Sequence, residues 1–141
     1  SEQANEWEAE PEEDWLIFAL NWPREILYNR INQRVDMMID AGLIGEVEKL
    51  RASGIPSTAQ AMKAIGYKEI ILMLKKECTR VQAIEAIKNN TRHYAKRQIT
   101  WLKRDGRVQW VDLSQYKNAS AMHDELIERI AQHIGGRNGN N

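Results

Sequence analysis

Only two segments of this chain read as β-strands, WLIFAL at residues 15–20 and RVQWVDL at residues 107–113, with a long helical stretch between them. The first is an unbroken apolar run that ends at Asn21–Trp22–Pro23, and its length and flanks fit a strand buried on both faces better than a helix. The second alternates apolar with polar residues, the period of a strand. Two strands alone make a poor sheet, because about three are needed for independent stability. The pair therefore either joins beneath the intervening helices or supplies edge or inner strands to a larger sheet whose other members lie upstream of Ser1.

The stretch between the strands is helical. Pro23 suits the first turn of a helix through REILYNRINQRVDMMIDA, whose apolar stripe is Ile26, Leu27, Ile31, Val35, Met38 and Ile39 and which Gly42 closes. LIGEVEKLRASG predicts a short helix ending at Gly54, a brief helical turn reaches Gly66, and YKEIILMLKKE predicts another helix. Thr79 and Gln82 form a capping-box pattern that opens a long helix from Arg80 to Arg104, stopping before Gly106. Beyond the second strand, Met122, Leu126, Ile127, Ile130 and Ile134 mark a last amphipathic helix that frays at GGRNGNN. The resulting division is an acidic linker at 1–14, a folded body at 15–134 and a disordered tail at 135–141.

Zero net charge hides an asymmetry. Residues 1–14 carry seven acids and no Lys or Arg, so the other 127 residues hold 20 basic against 13 acidic side chains. The acidic run reads as a solvated linker in preference to a nucleic-acid mimic. No apolar run approaches the ~18 residues of a membrane span, and the N-terminus has neither the basic flank nor the apolar stretch of a signal peptide. Cys78 is the only cysteine, which leaves no intrachain disulfide and suits a reducing, cytoplasmic setting.

Positive charge concentrates in NTRHYAKRQITWLKRD, Asn90 to Asp105, which has five Lys or Arg and no acid before its last residue. At 100° per position Val81, Ile84, Ile87, Thr91, Tyr94, Ala95, Gln98, Ile99 and Leu102 share an arc expected to face the core, with Trp101 at its border. Arg92, Lys96 and Lys103 fall on one adjoining strip, and Arg97 and Arg104 further round. An ordinary exposed helix mixes Glu with Lys four apart, so five uncompensated cations forgo that support and repel one another. A bound polyanion would offset the repulsion. Lys103 and Arg104 are also explained by the helix C-terminus, which favours cations, and the plain alternative is a solvated face paired with acids elsewhere. His93, His123 and His133 show no metal spacing. Asp36 and Asp40 share a face in the manner of many solvated helices, and Arg30 and Arg34 with Glu25 and Asp36 fit an ion-pair ladder. No Gly-rich phosphate loop, nucleophile elbow or Cys/His arrangement is present in the sequence.

REILYNRINQRVDMMIDAGLIGEVEKL, then AMKAIGYKE, then NTRHYAKRQITWLKRD followed by VQWVDL, resembles the C-terminal half of the bacterial tRNA dimethylallyltransferases, also called tRNA isopentenyltransferases. The resemblance runs from about Leu16 to Leu113, and YAKRQITW is its strongest motif. It implies an α/β fold: a mostly helical C-terminal portion of a P-loop nucleoside triphosphate hydrolase-like core, contributing about two strands to the sheet. It also implies an enzyme that moves a dimethylallyl group from dimethylallyl diphosphate to N6 of the adenosine 3′-adjacent to the anticodon, assisted by Mg2+. The P-loop that cradles the diphosphate and the Asp that acts as base belong to the N-terminal half, and this sequence has neither, so the chain alone is expected to be inactive.

Carried over onto this chain, the resemblance makes Arg34 in INQRV the catalytic arginine that reaches the diphosphate, where a planar cationic fork stabilises developing charge. It makes Lys63, Ala64, Ile65, Gly66, Tyr67 and Lys68 a tRNA-contacting loop, with Gly66 allowing close backbone approach. It makes Lys96, Arg97, Gln98, Ile99, Thr100, Trp101, Leu102 and Lys103 a second contacting stretch; Arg92 is added from its position beside that face. The implied partners are the tRNA anticodon arm, dimethylallyl diphosphate and the N-terminal P-loop half, with no membrane and a monomeric full-length enzyme. Magnesium would be bound mainly by that other half. Two other readings remain open at this point: a non-catalytic helical RNA-binding module, and a helical domain that docks an acidic protein.

Overall fold

The computed structural model describes residues 15–138, so the acidic linker and the last three residues of the tail lie outside the described residues. These fall into two units, one formed by the chain up to Trp22 together with the chain from Leu102 onward, the other by Pro23–Trp101.

In the first unit, β1 (Ile17–Asn21) pairs in parallel with β2 (Val108–Asp112), in a register that sets Ile17 beside Val108 and Asn21 beside Asp112. A parallel pair needs a crossover, and the whole helical unit is the connection between the two strands. The turn into β2 is closed by Asp105, whose carboxylate accepts from the Arg107 guanidinium at 3.0 and 2.8 Å and from its backbone N–H at 3.0 Å. These bonds hold the Asp105 pKa at about 2. A short 3-10 turn, Leu113–Gln115, follows β2, and Asn118 then caps α5 (Ala119–Asn138) by accepting from the Ala121 N–H at 2.9 Å.

Two expectations change here. The sheet is not buried on both faces: Ala19 and Val111 are buried, but Leu20 is 48% and Trp110 38% exposed. Covering two faces takes two layers, and the described residues of this unit supply a single α-helix. On that helix Met122 packs inward, while Ile127, Ile130 and Ile134 stay exposed. α5 also continues through Gly135 and Gly136 to Asn138, past the point where fraying was expected.

The second unit holds α1 (Arg24–Asp40), α2 (Leu43–Ala52), a 3-10 turn at Gln60–Lys63, α3 (Tyr67–Leu74) and α4 (Arg80–Leu102). Its core is Val35 and Ile39 from α1, Leu43 and Val47 from α2, Met62 from the turn, Ile70 and Ile71 from α3, and Ile87 from α4. Glycines stand where the chain reverses: Gly42 between α1 and α2 and Gly54 after α2 have φ of +104° and +87°. Past the end of α3, Lys76 takes φ +61°, and its own N–H and that of Glu77 donate to the carbonyls of Met73 and Leu72, both at 2.9 Å. The Thr79 capping box forms as its spacing predicts, with the Gln82 N–H donating to the Thr79 hydroxyl at 3.1 Å and the Thr79 N–H to Gln82 Oε1 at 2.9 Å.

Candidate nucleic-acid interface

α4 is a single helix in two environments. Along one stripe of it Ala83 and Ile87 are buried and Asn90 is half-buried, after which the same stripe continues as Tyr94, Arg97 and Trp101 in solvent. The apolar arc predicted to face the core does so in part: Ile87 is buried, and Ile84, Thr91, Ala95, Ile99 and Leu102 are half-buried. Tyr94 is 51% and Trp101 67% exposed, and Val81 and Gln98 are exposed as well. No α4 residue beyond Ile87 joins the buried core of this unit, so the Tyr94–Arg97–Trp101 stripe stays in solvent, while Ala95, Ile99 and Leu102, on the side of Lys88 and Arg92, remain half-buried. Lys96, Thr100, Lys103 and Arg104 are also exposed, whereas Ile99 and Leu102 are half-buried. Seven positions separate Tyr94 from Trp101, which spaces the rings ~10 Å apart along one side of the helix. Arg97 lies between them.

Arg92, placed on the cationic face from the sequence, is committed elsewhere. It is half-buried and donates to Asn32 Oδ1 of α1 at 2.8 Å. One turn earlier, Lys88 pairs with Asp36 of α1 at 2.8 Å. Asn32 with Asp36 and Lys88 with Arg92 are each four apart, so these are two rungs between antiparallel helices. Asp36, expected to join an ion-pair ladder within α1, thus reaches across to α4. Among the described residues Arg34 has no hydrogen-bond or ion-pair partner, and it is exposed on the side of α1 roughly opposite Asn32.

The Lys63–Lys68 loop is built from inside. Gly66 is buried with φ +99°, a conformation that penalises any side chain, although the space a Cβ would need is open to Leu43 at 3.7 Å. Its role is therefore a sharp entry into α3. The residue that holds this turn, Glu69, was not singled out from the sequence. Glu69 is 4% exposed; its Oε2 accepts from the Gly66 N–H and its Oε1 from Asn90 Nδ2, each at 2.7 Å. The available signal was Glu three residues after a turn glycine, the carboxylate half of a capping box. Tyr67 is half-buried and its hydroxyl donates to Glu46 Oε1 at 2.7 Å, a bond that raises its pKa above the ordinary 10.0, with burial and the carboxylate charge adding to the effect. Lys63, Ala64 and Lys68 are exposed, and Ile65 packs against the core.

Among the described residues no group of three or more His, Cys, Asp or Glu could hold a metal ion, and no helix is long and apolar enough to cross a membrane. The magnesium implied by the resemblance is accordingly not assigned to these residues, and no step is derived through it.

Fold and site together define an α/β chain, mostly helical with a parallel two-stranded sheet, whose helical unit presents a cationic and aromatic helix face to solvent. The chain belongs to the IPP transferase family, whose model matches residues 1–105. That match takes in the acidic stretch, which the sequence reading had left outside the family pattern, and ends before β2. A tRNA dimethylallyltransferase of Clostridioides difficile is 49% identical over 119 residues, 84% of this chain and 38% of its own length. Another, from Thermoanaerobacter sp., is 44% identical over 128 residues, 90% of this chain and 39% of its own length. Among solved structures, the full-length tRNA isopentenylpyrophosphate transferase of Bacillus halodurans matches with a TM-score of 0.73 at 40% identity, over 86% of this chain and 38% of that one. The tRNA delta(2)-isopentenylpyrophosphate transferase of Staphylococcus epidermidis matches with a TM-score of 0.78 at 38% identity, over 86% and 39%. The chain thus spans about two-fifths of the length of the curated relatives it matches.

Proposed function

We propose that this chain is the C-terminal, tRNA-gripping portion of a prenyltransferase that moves a dimethylallyl group from dimethylallyl diphosphate to N6 of the adenosine 3′-adjacent to the anticodon. In that reaction the amine nitrogen forms a bond to the allylic carbon, the carbon–oxygen bond to diphosphate breaks, and a proton leaves the nitrogen. The P-loop and the base come from a part of the enzyme outside this chain. The relatives' names and the chain's share of their length support this division of labour.

The observation that carries the reading is the projecting half of α4. Lys96 and Arg97 stand exposed there with Tyr94 and Trp101, and no acid occurs between Arg92 and Arg104. Phosphates would be met by the cations and unstacked bases by the rings, the combination that holds single-stranded loops. Arg34, exposed and unpaired among the described residues, is the group proposed to reach the departing diphosphate. A guanidinium fork there stabilises charge as the carbon–oxygen bond breaks.

The test is kinetic and uses the full-length protein. Arg97→Ala and Lys96→Ala should each weaken tRNA binding and lower the salt dependence of log Kd by ~0.7 to 0.9 per lost phosphate contact, with diphosphate affinity nearly unchanged. Unchanged tRNA affinity in both variants would remove the helix face from the interface. Arg34→Ala should lower turnover at saturating tRNA by about a hundredfold, the scale of one lost donor to developing charge. An effect on thermal stability alone would make Arg34 structural.

A further inference from the structure

One turn of α4 receives polar bonds from two sides. Lys88 and Arg92 are tied to Asp36 and Asn32 of α1, and Asn90, between them in sequence, is tied to Glu69 behind the Gly66 turn, at 2.8, 2.8 and 2.7 Å. Lys88 and Arg92 lie on one side of the helix and Asn90 about 200° round from each, so the turn is gripped from nearly opposite directions. Glu69 is the one charged side chain buried among the described residues. A buried carboxylate persists only where its oxygens are satisfied, and both of these are. The collar begins at Lys88, next to Ile87, the last buried core residue of α4. Immediately beyond it come Tyr94, Arg97 and Trp101, on a segment that extends ~15 Å past Arg92 with nothing from the core of this unit against its exposed side.

We infer that Glu69, Asn90 and Arg92 are positioning residues for RNA binding: without touching RNA, they hold the Lys63–Lys68 loop and the projecting half of α4 in one fixed relation. This rests on the RNA-binding reading above. The exposed stripe of α4 carries its ligand contacts beyond Ile87, its last buried core residue, so their position depends on how the collar turn is held. A small change in angle at Asn90 is multiplied at Trp101, and the Glu69 carboxylate ties that angle to the loop because the same group closes the Gly66 turn. The inference also accounts for Arg92, the one cation of the predicted face that is withdrawn from solvent and occupied.

The experiment measures binding of an RNA stem-loop of anticodon-arm size to the full-length protein across a series of salt concentrations, for Asn90→Ala, Arg92→Met, Arg92→Lys and, as a contact control, Arg97→Met. Asn90→Ala and Arg92→Met should each weaken binding about tenfold, the scale of one lost hydrogen bond to a charged group, with the slope of log Kd against log salt unchanged. Arg92→Lys, which can still donate to Asn32, should recover most of the loss. Arg97→Met should lower the slope by ~0.7 to 0.9. In Asn90→Ala, amide exchange at Gly66 should quicken. Native affinity in Asn90→Ala and Arg92→Met overturns the collar while leaving the RNA reading intact. A slope reduced in Arg92→Met as in Arg97→Met makes Arg92 a phosphate contact and overturns it too. If the unsubstituted protein shows no salt-dependent binding of the stem-loop, the RNA reading fails, and the inference with it.

Discussion

Trp101 is the residue that most directly reports what the projecting helix does. An indole two-thirds exposed at the end of a helix leaves most of its apolar surface in water, and stacking on a base would cover it. Trp101→Ala in the full-length enzyme should weaken tRNA binding by about 1–3 kcal/mol, and Tyr94→Ala by a similar or smaller amount, while the melting temperature of each protein stays near that of the unsubstituted one. Loss of stability without loss of affinity would return both rings to the packing role that the apolar arc predicts. The contrast between Arg92 and Arg97 belongs to the same scale. Five positions apart in one acid-free stretch, they look alike in the sequence, yet Asn32 occupies one and nothing among the described residues occupies the other.

At the scale of elements, the helical unit follows local rules closely. α4 starts where Thr79 and Gln82 exchange their hydrogen bonds, so Thr79→Ala should destabilise the protein by about 1 kcal/mol, read as a lower midpoint in urea unfolding with an unchanged slope. A midpoint that does not move would mean that tertiary packing alone fixes the start of the helix. The boundaries of α1, α2 and α4 were legible because glycine, proline and capping residues act over three or four positions, within a single stretch of sequence. Glu69 was not legible in this way. Half of its function is local, the Gly66 turn, but the other half is a bond to Asn90, 21 residues on, and no spacing rule reaches that far.

For the molecule as a whole, the sheet carries the main lesson. Its two strands pair in parallel, yet Leu20, Trp110, Ile127, Ile130 and Ile134 in the same unit remain exposed. Leu20 and Trp110 lie on opposite faces of the pair, and the greater length of the relatives offers a candidate cover for such exposed apolar residues. The 141-residue chain on its own should therefore bind an apolar dye such as anilinonaphthalene sulfonate strongly, and the full-length protein should bind little. Equal dye fluorescence per molecule would show that the rest of the protein leaves this surface open.

The sequence by itself determined what depends on near neighbours and on composition: the order and type of the elements, their caps and turns, the concentration of cations on the last helix of the helical unit, and, through three motifs in order, the family. Only the tertiary structure decided which members of a uniform pattern face protein and which face solvent. A helical period repeats the same face along all of α4, but burial depends on which part of that face meets core residues of other elements, and that is set by packing among residues distant in sequence. The same face therefore holds Ile87 in the core and Trp101 in solvent.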